Sequence, residues 1–495
     1  MSMSSQREFM NHGAHAWLRE SYLVTGAHFA IATNSAEILA AARNSFRQVV
    51  ETETSPALTM RLWVDPAARS HLPWPEPYFR GLGHLVYAGF DHENSMLLDL
   101  RRRRIVGRLS QSMAQDEAYW QRVVFPALVG LASEALNVAV LHCACVERDG
   151  KGLLFAGESG SGKSTLSLAT AQNGFAFLSD DWTYFSFAER RLRAWGLATP
   201  LKLLPDTVDF FPELRAVEAG VALNGERAYE VDPESVFGIR RAFRCEPHWL
   251  VFLQRQEKPE HTFVRVSSAQ AAASLESDLV SVPPEMSSLR EIQQATIQSL
   301  VEHECWLLRY GENPQEIAQV LLGFCAVSRP SLQHDGSPRS SVPLVRMGPD
   351  LIGRLTPTPL MADLSLTDRP VRLETNSPAI LRHVSSVLQH APNGSREEVF
   401  LWRLVSDAES GLRPPWPDFS IASSDGLLLA NIGQRSFLAV DTEARCAVGF
   451  LAEELAEDAC GFQAFFLPEL CSMTGGVLRQ DGSNFGPTHG LPSSP

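Results

Sequence analysis

The chain has 495 residues, of which 44% are hydrophobic and 9% aromatic, enough for two or three globular domains. Its formal net charge of −14 gives no overall attraction to nucleic acid or to an acidic membrane surface, so neither is an expected partner. No apolar run approaches the about 18 residues of a membrane helix, and residues 1–20 lack the features of an export signal. Eight scattered cysteines without a Cys-x-x-Cys pair fit reduced thiols, and we predict a cytoplasmic location.

A repeat brackets the middle of the chain. Thr33-Asn34-Ser35 recurs as Thr375-Asn376-Ser377, at an offset of 342 residues (375 − 33). The same offset relates six further matches: Arg61-Leu62 and Arg403-Leu404, Asp65 and Asp407, Pro73-Trp74-Pro75 and Pro415-Trp416-Pro417, Asp99 and Asp441, Gly107 and Gly449, Pro126 and Pro468. We therefore predict two copies of one α+β module, at about 20–130 and about 350–473.

Each module is expected to begin with a strand and an amphipathic helix, whose buried face in the first copy carries Ile38, Leu39, Ala42 and Phe46. A strand around residues 62–64, a hairpin of 96–100 with 105–109 and a closing helix follow. The basic run Arg101 to Arg104 falls in the hairpin turn. Its counterpart in the second copy, residues 442–445, is not basic, which favours a solvated turn over a nucleic-acid site.

Between the modules lies a complete G-x-x-x-x-G-K-S/T pattern, typical of a phosphate-binding loop. It follows a short apolar strand, residues 152–156, and opens a helix, residues 164–172, that Gly174 ends. Backbone N–H groups at the helix N-terminus would cradle phosphates, with the Lys163 ammonium between them and the Ser164 hydroxyl on Mg²⁺. The alternative is a glycine-rich turn before an ordinary helix. The predicted phosphate-binding residues are Gly157, Glu158, Ser159, Gly160, Ser161, Gly162, Lys163, Ser164 and Thr165.

The next predicted strand, residues 175–179, ends in Asp180-Asp181. In a right-handed βαβ unit both strands end at the same sheet edge, so these carboxylates should face the loop. Because side chains alternate along a strand, one carboxylate can bind Mg²⁺ while the other accepts a proton. A turn or helix cap with solvated carboxylates is the alternative.

Three residues on the strand predicted before the loop have the side chains of catalytic or metal sites. The first is His142, although a lone histidine on an apolar strand is often a core residue. Cys143 and Cys145 point to one face, where a metal or redox site is an alternative to buried core thiols.

The arrangement of His142, the loop, Gly174 and Asp180-Asp181 resembles the HPr kinase/phosphorylase superfamily, whose bacterial serine kinases share a P-loop fold with phosphoenolpyruvate carboxykinase. The resemblance covers about residues 140–270. It implies that Lys163 and Ser164 hold ATP phosphates and Mg²⁺, that Asp180 is the general base and Asp181 a metal ligand, and that His142 tunes Asp180. The Glu-Ile-Arg-Gly signature of the bifunctional enzymes is not matched by residues 237–240, Phe-Gly-Ile-Arg.

We therefore expect an α/β fold, with a P-loop kinase core of the HPr kinase and carboxykinase type between two α+β modules. The predicted function is ATP- and Mg²⁺-dependent phosphorylation of a serine hydroxyl on a protein or peptide. The alternative is a nucleotide-binding regulator or scaffold without kinase turnover. The predicted domains are module 20–130, catalytic domain 131–330, linker 331–349, module 350–473 and a disordered tail 474–495. The sequence also allows an oligomer.

Overall fold

The computed structural model describes residues 17–475 except 51–54, 83, 189–190, 223–224, 259, 280–286, 312, 328–356, 368, 392–398 and 408–412. Within this part the chain is a mixed α/β protein with several multi-stranded sheets. Its contacts divide it into two compact units, Met1–Leu355 and Thr356–Pro495. No described helix is long and apolar enough to cross a membrane. The predicted linker, and the predicted tail beyond residue 475, lie outside the described residues.

The first sheet of unit 1 has the described strand order β1-β2-β3-β7-β6-β5-β4. Its strands are β1 (Leu18–Val24), β2 (Ala27–Thr33), β3 (Leu58–Asp65), β4 (Tyr78–Leu82), β5 (Leu85–Gly89), β6 (Ser95–Asp99) and β7 (Arg104–Ser110). Antiparallel pairing of β6 with β7 confirms the predicted hairpin, and residues 101–103 form its turn.

Helix α1 (Ala36–Phe46) connects the parallel strands β2 and β3. It begins at Ser35, whose hydroxyl accepts a hydrogen bond from the Ile38 amide at 3.3 Å and so satisfies one free donor of the first turn. All four residues of the predicted apolar face are buried. The apolar face therefore docks this helix on the sheet, as its 3.6-residue periodicity predicts.

The first sheet continues into helices α2 (Gln111–Gln115) and α3 (Glu117–Tyr119), a π-helical turn (Trp120–Val124) and helix α4 (Phe125–Leu136). Helix α4 runs through the predicted domain boundary between residues 130 and 131. Phe125 shares one hydrophobic cluster with Tyr184 and Trp195, which lie on strands of the next sheet. The two large sheets of unit 1 are therefore packed on a common core.

A nine-stranded sheet follows, counted over the described residues, in the order β11-β9-β10-β17-β13-β12-β8, with β19 beside β17 and β18 beside β19. Its strands are β8 (Ala139–His142), β9 (Ala144–Arg148), β10 (Lys151–Ala156), β11 (Ala176–Ser179), β12 (Trp182–Ala188), β13 (Arg191–Trp195), β17 (Arg244–Arg255), β18 (Thr262–Val266) and β19 (Cys305–Tyr310). The long strand β17 pairs with β13 at its start and with β10 and β19 further on, so it joins the two halves of the sheet.

A small sheet, in the order β14-β16-β15, lies between β13 and β17 in the chain. Its strands are β14 (Leu201–Leu203), β15 (Gly220–Val221) and β16 (Arg227–Val231), and two 3₁₀ turns (Pro205–Asp209 and Pro212–Ala216) connect the first two. The remaining helices of unit 1 are α5 (Lys163–Gln172), α6 (Pro233–Phe237), α7 (Ser268–Ser277), α8 (Ser287–Leu300) and α9 (Pro314–Val327).

Helix α5 is held by two hydrophobic clusters. Leu166 packs in a cluster with Phe155 of β10, and Leu168 packs in a second cluster with Phe177 of β11. The helix is therefore fixed against both strands that it connects, which fixes the loop at its N-terminus.

Unit 2 contains an eight-stranded sheet, within its described residues, in the order β22-β20-β21-β23-β27-β26-β25-β24. Its strands are β20 (Leu360–Leu366), β21 (Arg369–Thr375), β22 (Gln389–His390), β23 (Phe400–Ser406), β24 (Ser420–Ser424), β25 (Leu427–Gly433), β26 (Ser436–Asp441) and β27 (Cys446–Leu451). Its helical segments are α10 (Pro378–Ser385), α11 (Glu453–Glu457), α12 (Ala459–Gly461), a π-helical turn (Phe462–Phe466) and α13 (Leu467–Met473).

Local features of the two units recur at the offset of the sequence repeat. The Asn34 side chain donates to the Val64 carbonyl and accepts from its amide, both at 2.8 Å, and Asn376 binds Ser406 with the same two bonds and lengths. The indole of Trp74 donates to Asp116 at 2.8 Å, and the indole of Trp416 donates to Asp458 at 3.1 Å. The same offset relates the two π-helical turns.

Candidate functional site

The glycine-rich loop connects β10 to α5 and needs glycine at two positions. Gly157 has a φ of 142° and Gly162 a φ of 95°, which side chains rarely adopt. A Cβ on Gly157 would lie 2.9 Å from the Leu253 carbonyl oxygen, and one on Gly162 would overlap the Tyr310 hydroxyl. The backbone therefore passes close to the ends of β17 and β19, and only glycine fits.

Hydrogen bonds hold the loop in shape. The Tyr310 hydroxyl donates to the Ser161 carbonyl at 2.6 Å, and the Ser161 amide donates to the Glu158 carbonyl at 3.1 Å. Lys163 is 7% exposed, and its ammonium donates to the carbonyls of Gly157 at 2.6 Å and Glu158 at 3.3 Å. The lysine thus lies folded over the loop that it is predicted to serve.

The loop has the donor set that a phosphate requires. It ends at the N-terminus of α5, where the first amides have no intrahelical acceptor and the helix dipole is positive. The buried Ser161 hydroxyl has no hydrogen-bond partner among the described residues. An N-terminal amide cradle and an ammonium fit a polyphosphate group.

The strand that carries the acidic pair ends at the same sheet edge as β10. Strand β11 is antiparallel to β9, and β9 is antiparallel to β10, so β10 and β11 run in the same direction with β9 between them. Asp180 is 6% exposed, whereas the Asp181 side chain is 53% exposed. The two carboxylates therefore have different surroundings, as expected from the alternation of side chains.

Burial changes the chemistry of Asp180. Loss of hydration, followed by repulsion from the Asp181 carboxylate, raises the pKa of Asp180 to about 7. A hydrogen bond from the Lys202 amide to Oδ2, at 3.3 Å, opposes this rise but does not cancel it. A carboxyl group with such a pKa can take up and release a proton near neutral pH.

His142 contacts Asp181 rather than Asp180. It ends β8, and its Nε2 lies 2.8 Å from Asp181 Oδ1, while its Nδ1 lies 3.0 Å from Asp278 Oδ2. The hydrogen bond to Asp181 is the main cause that raises the pKa of His142. The predicted tuning of Asp180 by this histidine would therefore act indirectly, through the charge and orientation of Asp181.

One cavity of about 660 Å³ brings most of the predicted site together. The predicted residues on its wall are His142, Ser159, Gly160, Gly162, Lys163, Ser164, Thr165, Asp180 and Asp181. Gly157, Glu158 and Ser161 shape the loop behind this wall. A second cavity of about 650 Å³ lies on strands β1 to β3 and contains none of the predicted site residues.

Sequence reasoning missed several charged residues of the wall. Arg122, Glu230 and Arg255 line the cavity, and Asp278 binds His142 from the end of α7. Arg255 ends β17, a position at the carboxyl edge of a strand that could have drawn attention to it. Arg122 and Asp278 gave no local signal, because chain folding alone brings them to the site.

A Mg²⁺ ion suits the oxygen ligands of the wall, since it prefers carboxylate, hydroxyl, phosphate and water oxygens. Ser164 and Asp181 would supply the protein oxygens. In the described part of the chain, no three His, Cys, Asp or Glu residues group as a metal site by themselves. Cys143 and Cys145 are buried in the core as free thiols, and burial raises the pKa of Cys143 to about 12.

No family model matches this chain, and no curated protein matches it. A solved structure, the HPr(Ser) kinase/phosphatase from Coxiella burnetii, is similar over 38% of this chain and 96% of its own, with 14% sequence identity and a TM-score of 0.20. It is a weak structural neighbour.

Proposed function

We propose that this protein transfers the γ-phosphoryl group of ATP, with Mg²⁺, to a hydroxyl group, and that the acceptor is a serine on a protein or peptide. The observation that carries the proposal is the cavity in which the lysine and serine of the loop lie on one wall with the buried carboxyl of Asp180. Phosphoryl transfer needs positioned phosphates, neutralised charge and a group that takes the hydroxyl proton. This cavity contains candidates for all three.

The loop binds and orients the triphosphate in this proposal. Amides of residues 158–165, except that of Ser161, which binds the Glu158 carbonyl, donate to phosphate oxygens. Lys163 leaves the two loop carbonyls to bind these oxygens. Ser164 and Asp181 would hold Mg²⁺, which when bound would neutralise phosphate charge. Arg255, whose Nε lies 3.5 Å from the Cβ position of Gly162, adds positive charge beside the loop.

Asp180 acts as the general base. It takes the proton of the acceptor hydroxyl as the new oxygen–phosphorus bond forms and the bond between the γ-phosphorus and the bridging oxygen breaks. The products are a phosphoester and ADP, and the proton remains on Asp180 until solvent removes it. A pKa of about 7 suits this task, because the group is substantially ionised near neutral pH and still basic.

His142 orients the acidic pair. Its two ring nitrogens contact Asp181 and Asp278, so the ring is fixed at both ends. It thereby holds Asp181 toward the cavity, where the carboxylate can bind the metal. His142 thus contributes to the proposed site by positioning Asp181, without contacting the proposed base.

The order of His142, the loop and Asp180-Asp181 along the chain supports a kinase of the HPr-kinase-related type, and we extend the proposal to that family. We also propose that residues 20–130 and 350–473 are copies of one module around a catalytic domain at 131–330. The matching hydrogen bonds of Asn34 and Asn376 support the duplication. Free cysteines support a cytoplasmic location.

The test uses the purified full chain with γ-labelled ATP, Mg²⁺ and an array of serine-containing peptides, with water as a further acceptor. We expect transfer by the wild-type protein and a loss of about 100-fold or more in Asp180→Asn, because a general base contributes about 10² to 10⁴ in rate. Nucleotide affinity should remain. Asp209→Asn, which removes an exposed carboxylate from a 3₁₀ turn, is the matched control.

A nucleotide-binding regulator or scaffold is the second candidate. The same cavity would bind the nucleotide in a kinase and in a regulator, so it supports both functions to the same degree. ATP binding by the wild-type protein without transfer to any peptide or to water would establish that second role. Undiminished transfer by Asp180→Asn would show that Asp180 is not the base.

A further inference from the structure

The small sheet forms the wall of the cavity beside Asp180. The Lys202 amide of β14 donates to Asp180 Oδ2 at 3.3 Å. Lys202 is the direct antiparallel partner of Glu230 on β16. The position of β16 therefore determines that of β14, and β14 provides the hydrogen bond to the buried carboxyl.

Two arginines from the segment before β8 form ion pairs with β16 and with α6, the helix that follows β16. Arg122, in the π-helical turn, binds Glu230 at 2.6 Å, and these side chains are 28% and 17% exposed. Arg47, which ends α1, binds Glu234 at 2.5 Å and lies 3.7 Å from Asp232. We call Arg47 and Arg122 together the arginine clamp.

The clamp is specific to the first of the two repeated segments. At the offset of the sequence repeat, Arg47 corresponds to Gln389 and Arg122 to Ala464. Neither residue can form an ion pair with a carboxylate. Arg122 and Ala464 lie at equivalent positions of the two π-helical turns, so there the difference is one of side-chain chemistry. Arg47 follows α1 in a left-handed conformation whereas Gln389 lies in strand β22, so there the backbone differs as well.

We propose that the arginine clamp consists of positioning residues for phosphoryl transfer, which hold β16 and β14 against the candidate base and make the first module part of the catalytic cavity. This inference rests on the proposed function. In this proposal Arg122 acts on Asp180 through Glu230 and Lys202. Arg47 acts through Asp232 and Glu234, which follow β16 in the chain.

The distances explain why the clamp matters. The 3.3 Å hydrogen bond to Asp180 is already slightly longer than the usual upper limit of about 3.2 Å for N–H···O bonds, so a small shift of β14 breaks it. The Arg122 and Glu230 side chains are largely shielded from water, which makes their pair stronger than an exposed one. Displacement of a catalytic group by about 1 Å can cost about 100-fold in rate.

The experiment compares Arg122→Ala, Arg47→Ala and the charge swap Arg122→Glu with Glu230→Arg in the full chain. The first measurement is hydrogen exchange of the β14 amides, which we expect to speed up by about 10-fold in Arg122→Ala. The second is hydrolysis of γ-labelled ATP with Mg²⁺, expected to fall by about 10-fold to 100-fold, while affinity for a fluorescent ATP analogue is retained. The swap should restore both within about threefold of wild type.

Arg265→Ala is the matched control. Arg265 and Glu304 form an exposed ion pair, 2.9 Å between nitrogen and oxygen, and neither residue lines the cavity. The proposal is wrong if Arg122→Ala keeps the wild-type rates of β14 hydrogen exchange and ATP hydrolysis. It is also wrong if the charge swap restores these rates no better than the single variants do. If the wild-type protein transfers no phosphoryl group to peptide or water, the proposed function fails, and the exchange measurement still decides whether the clamp holds β14.

Discussion

Asp180 is a carboxyl group whose burial raises the cost of ionisation. In the unfolded chain its pKa is near 3.8, and in the fold it is about 7. The pKa of Asp180 is higher in the folded state than in the unfolded chain, so the protonated group contributes its full stabilisation below about pH 4. This stabilisation is lost as the pH rises through about 7, because the unfolded chain ionises first. Above pH 7 the native protein therefore contains a buried charge.

Asp180→Asn should stabilise the protein in the absence of nucleotide and metal while removing the proposed phosphoryl transfer. The gain should increase between pH 4 and pH 7 and reach about 4 kcal/mol at most above that, since one pKa unit corresponds to about 1.4 kcal/mol. Urea unfolding at pH 5 and pH 8.5, without nucleotide and metal, measures it. A gain that does not depend on pH, or that also appears in Asp209→Asn, would contradict the assignment of the cost to this carboxyl.

The strand, loop and helix from β10 to α5 form an element that tolerates little change. In Gly162→Ala, a methyl group would meet the Tyr310 hydroxyl at a φ of 95°, so the loop must shift. We expect a loss of at least about 10-fold in affinity for a fluorescent ATP analogue and a destabilisation of about 1–3 kcal/mol. Gly150→Ala is the control, because φ is 79° there and nothing lies within 4 Å.

The control separates backbone strain from steric contact. Gly150→Ala should lose some stability through its positive φ and keep the affinity of the wild-type protein. If Gly162→Ala binds the nucleotide analogue as tightly as Gly150→Ala does, the close approach of Tyr310 has no part in shaping the phosphate cradle.

Local patterns predicted the elements that carry the site. The apolar run before Gly157, the glycine pattern and the strand before Asp180 define β10, α5 and β11 to within one or two residues. The position of β9 between β10 and β11 could not be predicted, because pairing depends on distant segments rather than on local periodicity. The contact of His142 with Asp181 and Asp278 was missed for the same reason.

At the scale of the whole molecule, the candidate site lies within unit 1. Its loop, acidic pair and clamp fall within residues 47–310, and unit 2 has a hydrophobic cluster of its own. We therefore expect residues 1–355 alone to bind the ATP analogue and hydrolyse labelled ATP within about threefold of the full chain, as expected for separate domains. Thermal unfolding should confirm that this fragment folds.

The fragment also tests the role of the second repeated segment. If residues 1–355 fold cooperatively but lose nucleotide affinity, the site requires unit 2, and the proposed division of the chain is wrong. If the fragment binds and hydrolyses ATP but phosphorylates no peptide that the full chain accepts, unit 2 contributes to recognition of the acceptor.

The position of Lys163 has a consequence for ligand choice. Its ammonium is already bound to two carbonyls of the loop, so an incoming anion competes with an intramolecular partner that is always present. A polyphosphate can reach the lysine and the α5 amides together, whereas a single phosphate ion reaches fewer of these donors. We therefore expect the resting loop to bind an isolated phosphate ion more weakly than a polyphosphate.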